Sequence, residues 1–316
     1  MYRDKKIAIV VPAHREETQI GKVLSTLPAF VDYVAVVDDA SPDRTYETAA
    51  GYKELVSYEL EVERRRTTGG VGAAIVDGYK AALKAGADVV AVMAGDAQMD
   101  PNELESVIGP VVEGECDYTK GNRLLSGKAW QTIPKYRYLG NACLTLFTKI
   151  ASGYWHITDS QSGYTAISRK ALETIDLGRL YPRYGFPNDI LVQLNVFHFG
   201  VRDVPIEPVY GVGEKSGIKL WKVIPTLSLL LFRRFSWRMF QKYVIRDFHP
   251  LVFFYAGGST FFTAGFVLGS IETYQKIVHG RIAIPSVVLA ALLLTSGLQL
   301  ILFAMWFDME YNKELK

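Results

Sequence analysis

Residues 250–271 and 282–307 contain no Asp, Glu, Lys or Arg. Crossing a bilayer takes about 20 consecutive apolar residues as a helix, and each stretch supplies that length. A polar link, residues 272–281, separates them. The pair therefore reads as a helical hairpin that enters a membrane and returns. Everything before Ser216 reads differently, as a water-soluble α/β domain. The chain divides accordingly into a catalytic-sized domain (1–215), amphipathic interfacial helices (216–249), and the hairpin with a short tail (250–316).

Charge sharpens the topology. The 316 residues hold 35 Lys and Arg against 33 Asp and Glu, a net charge of +2, so nothing in the global balance calls for nucleic acid. The local balance is more informative. Arg233, Arg234, Arg238, Lys242 and Arg246 crowd the approach to the first apolar run. Basic residues flanking a span belong on the cytoplasmic side, which puts both hairpin ends and the large domain in the cytosol. The same cluster suits either a plain anchor or attraction of an anionic headgroup. Residues 216–249 mix Trp221, Val223, Ile224 and Leu227 with lysines and paired arginines. They are too polar to span and suit the interface plane, with Pro225 as an expected interruption. Cys116 and Cys143 are too few for a disulfide framework or zinc site and fit buried positions in a reducing compartment. The first apolar run, residues 7–11, is too short for a secretory signal.

Strand and helix alternate through the front of the chain. Residues 7–11, 33–37, 60–63 and 89–93 are short apolar runs rich in Val and Ile, the pattern of buried strands. Between them lie helical stretches, with Ile20, Val23, Leu24 and Leu27 on one face of the first, a second around 46–55, and a third opened by Gly69–Gly72 and running to Lys84. Such alternation specifies an open, mainly parallel sheet covered on both faces. Ligands in these sheets bind at the carboxyl ends of the strands. The polar clusters Pro12-Ala13-His14-Arg15-Glu16, Asp38-Asp39 and Asp96-Ala97-Gln98 all fall there. Aspartates at such positions also serve turns and helix N-caps, and the residues alone leave both roles open for Asp39 and Asp43. Asp100 before Pro101 reads as a cap.

Three segments taken in order, Val11-Pro12-Ala13-His14-Arg15-Glu16-Glu17, Val37-Asp38-Asp39-Ala40-Ser41-Pro42-Asp43-Arg44-Thr45 and Gly95-Asp96-Ala97-Gln98-Met99-Asp100-Pro101, resemble the family 2 glycosyltransferases of the GT-A fold. The branch they resemble is that of dolichol-phosphate mannose synthases and other polyprenyl-phosphate glycosyltransferases. The likeness runs from about Lys5 to Tyr210, and the C-terminal hairpin is similar to that of members carrying their own anchor. It implies that Pro12, Ala13, Glu16, Asp39, Gly72 and Asp96 bind a nucleotide-sugar. It also implies that Asp96 and Gln98 hold Mg²⁺ or Mn²⁺, with Ala94 standing where the family often has a first aspartate. By the same resemblance Arg123, Ser162, Lys215 and Ser216 meet the diphosphate or lipid phosphate, and Asp189 faces the sugar, making Asp96, Arg123 and Asp189 the catalytic set. Gly69-Gly70-Val71-Gly72 becomes the family's glycine-rich loop, with glycines that only open a helix as the alternative. Thr165 stands where arginine is frequent.

The reaction this resemblance implies is inverting transfer of a hexose from a GDP-mannose or UDP-glucose type donor to a polyprenyl or dolichyl phosphate at the cytosolic membrane face. A phosphate monoester has a second pKa near 6 and is already dianionic at neutral pH, so no strong general base is required. The five scattered histidines agree with that. Two other classes compete. A processive polysaccharide synthase calls for a Gln-x-x-Arg-Trp motif and more spans than this chain has. A non-catalytic nucleotide-sugar-binding membrane scaffold would make Ala94 and Thr165 marks of lost activity. The spacing of Gly265 and Gly269, and the pair Gly257-Gly258, would also permit close helix contact between copies.

Overall fold

The computed structural model describes residues 1–125, 135–207 and 220–316. Its sheet is built around β1 (Ile7–Ala13), all seven residues of which are buried. The pleat sends alternate side chains to opposite faces. Ile7, Ile9 and Val11 enter one core with residues of α1 (Ile20–Thr26) and α4 (Leu104–Val112), while Ala8 and Val10 enter the other with residues of α3 (Val71–Lys84). Each fully buried Val or Ile contributes roughly 1.5–3 kcal/mol; such residues dominate the first core, and the second mixes them with Ala, Tyr, Leu and Phe. This is why β1 reads as an unbroken apolar run rather than an alternating one. The helix α3 approaches so closely that a Cβ on Gly78 would lie 2.2 Å from Val10 Cγ1; only glycine fits there.

The remaining strands are β2 (Tyr33–Asp38), β3 (Glu59–Arg64), β4 (Val89–Val92), β5 (Tyr118–Asn122), β6 (Thr165–Ser168) and β7 (Val201–Pro205). Spatial order is β3-β2-β1-β4-β6-β5-β7. Pairs β1–β2, β1–β4, β2–β3 and β5–β7 are parallel, and β6 runs antiparallel to both β4 and β5. The chain winds outward from β1 through β2 to β3, then returns to place β4 on β1's other side. Such a reversal opens a crevice at the carboxyl ends of the central strands. The short helix α2 (Thr45–Ala50) follows β2, and α5 (Lys135–Ser152), α6 (Arg169–Thr174) and α7 (Phe186–Val196) cover the second half. The mainly parallel α/β architecture expected from the sequence is present, with small differences. β1 continues past Pro12 to Ala13, because Pro12 still offers its carbonyl, which accepts from the Gly95 amide at 3.1 Å.

The helix α8 (Leu220–Phe240) runs through Pro225 rather than breaking there. Pro225 sits in its second turn, where proline forfeits only one intrahelical bond close to the end. Residues 1–235 with 314–316 form one compact unit and residues 236–313 a second.

Within the second unit, α9 (Leu251–His279) and α10 (Ile284–Tyr311) are each long and apolar enough to cross a membrane. The helix α9 overshoots the apolar run by two turns and absorbs most of the expected polar link. Its 29 residues span about 43 Å at the helical rise, and it ends at Gly280, whose φ of 68° makes a left-handed cap. Contact between α9 and α10 is glycine-mediated. A Cβ on Gly297 would lie 2.4 Å from Phe262 N, one on Gly258 3.0 Å from Gly297 O, and one on Gly265 2.8 Å from Leu294 N. The glycines that suggested contact between copies therefore split: Gly258 and Gly265 are spent inside the hairpin, whereas Gly257 and Gly269 are not tightly packed.

At one end of the hairpin lies a buried polar cluster. Arg238 donates to Asp308 in a two-pronged pair at 2.8 and 3.0 Å. The Tyr243 hydroxyl donates to the same carboxylate at 2.5 Å, and Lys242 Nζ donates to Asn312 Oδ1 at 2.7 Å. Burial and the neighbouring Arg238 push Lys242 down to about 7. Arg238 and Lys242, which from sequence suited either a plain anchor or attraction of an anionic headgroup, are fully buried. Sequence spacing could not show that Asp308 and Asn312 lie opposite them. Arg233 and Arg246 remain exposed.

Gly297→Ala is expected to cost about 1–3 kcal/mol through overpacking, read as a lowered unfolding midpoint in detergent. Gly269→Ala, whose Cβ would rest 3.8 Å from Ala290 Cβ, is expected to leave the midpoint unchanged. Equal behaviour of the two variants would contradict the glycine-mediated contact.

Candidate active site

The carboxyl ends of β2, β1 and β4 are neighbours, so the three motif loops meet. Each loop carries one non-glycine residue in the left-handed region: Arg15 at φ 64°, Ala40 at 53° and Ala97 at 57°. Such backbone costs of order 1 kcal/mol or more and gathers at functional sites. Side chains and amides lock the loops together. The Asp39 amide donates to Ala13 O at 2.9 Å, and His14 Nδ1 lies 2.9 Å from Asp39 O. The Arg15 amide donates to Ser41 Oγ at 3.0 Å, and the Glu16 amide to Thr45 Oγ1 at 2.8 Å.

The two adjacent aspartates have different duties. Asp38 is fully buried and organises its own turn, accepting from the Ser41 amide and hydroxyl and pairing with Arg64 at 3.3 Å. Asp39 reaches across to the glycine-rich loop. Its two oxygens accept from the Gly69 amide at 2.8 Å and the Gly70 amide at 2.7 Å, and Arg65 Nε stands 3.2 Å away. A carboxylate offers about four lone-pair directions, so this arrangement fixes Asp39 while leaving capacity for a further donor. Asp43 accepts from the Thr45 amide and hydroxyl at 3.3 and 2.6 Å, a local turn contact. Asp100 accepts from the Asn102 amide at 2.9 Å as a helix cap.

Gly72 has a packing reason of its own. A Cβ there would lie 2.5 Å from Tyr181 O and 2.8 Å from Phe186 Cβ. Gly70, at φ 99°, would place a Cβ 2.7 Å from Pro182 O. The loop is glycine-rich because the segment before α7 presses against it.

On the β4 side, the Asp96 carboxylate accepts from the Gln98 amide at 3.1 Å. Glu16 packs beside this loop, with its Cγ 3.5 Å from where a Gly95 Cβ would stand. Burial, then the charges of Asp96 and Asp43, push the Glu16 carboxyl up to about 7. Crowded acids of this kind mark a site of negative potential that a cation relieves. Among the described residues no group of three or more His, Cys, Asp or Glu forms a ready metal cage. The donor set, one carboxylate with an amide oxygen, fits a hard cation that completes its shell with substrate phosphates and water.

Arg123, just past β5, is clamped by Asp159 through Nε at 2.7 Å and Nη2 at 3.0 Å, and 27% of its side chain stays exposed. Asp159 is not among the residues singled out from the sequence; the structure makes it the residue that orients Arg123. Beneath them Lys120 is fully buried, donating Nζ to Ser162 O at 2.5 Å. Burial pushes Lys120 down to about 8, against the opposing pull of Asp159 and Asp203. Its burial is not legible from the polar stretch Thr119-Lys120-Gly121-Asn122 in which it stands. Ser162 is itself buried and contributes its carbonyl there. Lys215 and Ser216 lie outside the described residues. Asp189, expected to face the sugar, is 1% exposed in the first turn of α7. It pairs with Arg234 of α8, at 2.5 Å from Nε and 2.8 Å from Nη2, and accepts from the Tyr181 amide at 2.7 Å.

The family model for glycosyl transferase family 2 matches residues 8–176, a span containing all three motif loops. The chain belongs to this family. Among curated relatives it is 29% identical over 222 residues to the UDP-N-acetylglucosamine–dolichyl-phosphate N-acetylglucosaminyltransferase of Methanococcus voltae, covering 66% of this chain and 87% of that one. It is 30% identical over 239 residues to the dolichol-phosphate mannosyltransferase of Pyrococcus furiosus, covering 73% and 64%. Glucosyl-3-phosphoglycerate synthase from Mycobacterium tuberculosis, solved with Mn²⁺, UDP and phosphoglyceric acid, superposes with a TM-score of 0.54 at 17% identity over 74% of this chain and 78% of its own. That likeness is one of fold, and it bears out the GT-A architecture expected from the motifs. The same enzyme has been solved with Mg²⁺ and UDP.

Lys120 gives this family 2 site a pH signature. An ordinary lysine titrates at 10.5 and this one at about 8. Between those values the unfolded chain binds the extra proton, so stability rises with pH across that window and is lost as pH falls through about 8. Relative to Lys120→Met, the wild type should gain up to about 3 kcal/mol between pH 8 and 10.5, measured by denaturant unfolding in detergent. A difference that does not change with pH would contradict the buried lysine.

Proposed function

We propose that the protein transfers a hexose or N-acetylhexosamine from a nucleoside-diphosphate sugar to a polyprenyl or dolichyl phosphate, with inversion, at the cytosolic face of a membrane. The observation that carries this reading is the meeting of Glu16, Asp39 and Asp96 at the crevice between β1, β2 and β4, in a family 2 chain that ends in a membrane-length hairpin. The names of its relatives in Methanococcus voltae and Pyrococcus furiosus support a lipid-phosphate acceptor. They differ in sugar, so the donor is left to assay.

Each residue then has a task. Pro12, Ala13 and Glu16 wall the nucleoside, and Asp39, held by the glycine-loop amides, accepts from a base N–H or ribose hydroxyl. Asp96 and the Gln98 amide oxygen would hold Mg²⁺ or Mn²⁺, which when bound neutralises charge on the departing diphosphate. Arg123, pre-set by Asp159, offers its guanidinium to phosphate oxygens without reorganising, which is the costly part of electrostatic stabilisation. The acceptor's phosphate is already ionised, so the protein's remaining work is to align it with the anomeric carbon. A hairpin anchor serves that alignment, because extracting a polyprenyl chain from lipid costs about 0.8 kcal/mol per CH₂.

Purified protein with Mn²⁺ or Mg²⁺, polyprenyl phosphate and labelled GDP-mannose, UDP-glucose or UDP-N-acetylglucosamine is expected to yield a labelled lipid from one of them. Asp96→Asn should lower kcat/KM by about 100-fold or more. Label recovered only as free sugar with every donor would overturn the acceptor assignment, and full activity of Asp96→Asn would remove its role.

A further inference from the structure

The contacts of Asp189 lead away from the sugar and toward the membrane. The helix α8 has two working faces within the first unit. One buries Leu227 and Leu231 and carries Arg234; the opposite face exposes Leu229 and Phe232, at 51% and 67%. Exposed apolar side chains on one face of a helix of this kind suit a bilayer surface. The buried face rests on the segment before α7. Leu230 Cδ2 comes within 2.4 Å of where a Gly185 Cβ would stand, and Leu227 Cδ2 within 3.1 Å. Arg234 completes the seat, donating Nη2 to Arg179 O at 2.5 Å and to Asp189 Oδ2 at 2.8 Å.

The far side of the same segment holds the glycine loop. The Ala73 amide donates to Pro182 O at 3.0 Å, and Gly70 and Gly72 pack against Tyr181, Pro182 and Arg183 with no room for a Cβ. The Gly69 and Gly70 amides in turn hold Asp39. One strap, residues 179–185, is thus pinned by the membrane-surface helix on one side and shapes the nucleotide loop on the other.

We propose that Asp189 and Arg234 are positioning residues that couple the seating of α8 to the donor-binding loop, so that the nucleotide pocket is fully formed only when the membrane-surface helix is docked. This rests on the assignment of the Asp39 crevice to the nucleotide-sugar. Asp189 is buried, with its carboxylate held by Arg234 and the Tyr181 amide, so both residues act here through the strap. Arg234 fixes Asp189 and Arg179 O, these fix the strap, and the strap fixes Gly70 and Gly72. The guanidinium reaches both carboxylate oxygens, by the Nη2 hydrogen bond to Oδ2 and an Nε–Oδ1 ion contact, and its planar fork fixes their orientation in a way an ammonium does not.

The test uses the full chain in lipid nanodiscs. Hydrogen exchange is followed at the Gly69 and Gly70 amides and at β1, and donor and acceptor KM are measured in parallel. Arg234→Ala and Asp189→Asn are each expected to speed exchange at Gly69 and Gly70 and raise donor KM by about tenfold, with β1 protection unchanged. Arg234→Lys should fall between Arg234→Ala and wild type. The exposed neighbour variant Arg233→Ala should leave glycine-loop exchange as in wild type. Unchanged exchange and donor KM in both pair variants, or loss of β1 protection in step with the loop, would overturn the coupling. If Arg234→Ala does not accumulate as folded protein, Arg234→Lys carries the same comparison. Exchange reports the coupling without turnover, so a wild type that transfers no sugar yet shows the exchange response would sink the activity and leave the coupling standing.

Discussion

The Asp39 carboxylate holding the amides of Gly69 and Gly70 is the contact on which the site depends. It joins the end of β2 to the start of α3, 30 residues later in the chain, and sets the loop on which the strap before α7 rests. Without it, two backbone N–H groups at a helix start would lose their partner, and a nearly buried carboxylate would keep only the Arg65 guanidinium. Leaving buried N–H donors without an acceptor, and a buried carboxylate short of donors, costs more than the bonds themselves contribute. The bond therefore selects one geometry for the loop, and that geometry puts Asp39 opposite Pro12–Glu16.

Charged side chains elsewhere follow the same logic. Arg123 with Asp159, Arg234 with Asp189 and Arg238 with Asp308 are each two-pronged guanidinium–carboxylate pairs. A buried pair adds little net stability, but breaking one is severe. Such pairs fix orientation more than they add free energy. Arg123 is oriented within the crevice, Arg234 orients the strap, and Arg238 orients the residues entering the hairpin. The basic stretch before the hairpin, open from sequence between a plain anchor and a headgroup attractor, is thus partly an internal set of fasteners.

Much of this was legible in the chain itself. The buried strands announce themselves as Val- and Ile-rich runs because both faces of the sheet are covered, and the acidic loops stand out because each directly follows such a run. The hairpin is evident from its missing charges. What stayed hidden depends on distance in sequence. Asp189 and Arg234 are 45 residues apart, and nothing local to either identifies the other, so Asp189 read as a sugar-facing acid. Gly72 read as a ligand contact, although its lack of a side chain is explained by Tyr181 and Phe186. Asp159 and Lys120 lie in segments whose chemistry emerges only when β5 and the loop before β6 are side by side. The extension of α9 past its apolar run reflects a left-handed glycine at position 280 that hydropathy does not weigh.

The most direct test is a cryo-electron microscopy reconstruction of the protein in nanodiscs with Mn²⁺ and an unreactive analogue of the donor selected by assay. The account predicts density for the nucleoside between Pro12–Glu16 and Asp39, with the diphosphate and metal beside Asp96 and Arg123. A nucleotide bound away from the carboxyl ends of β1, β2 and β4, or with no contact to Asp39 and Asp96, would contradict it.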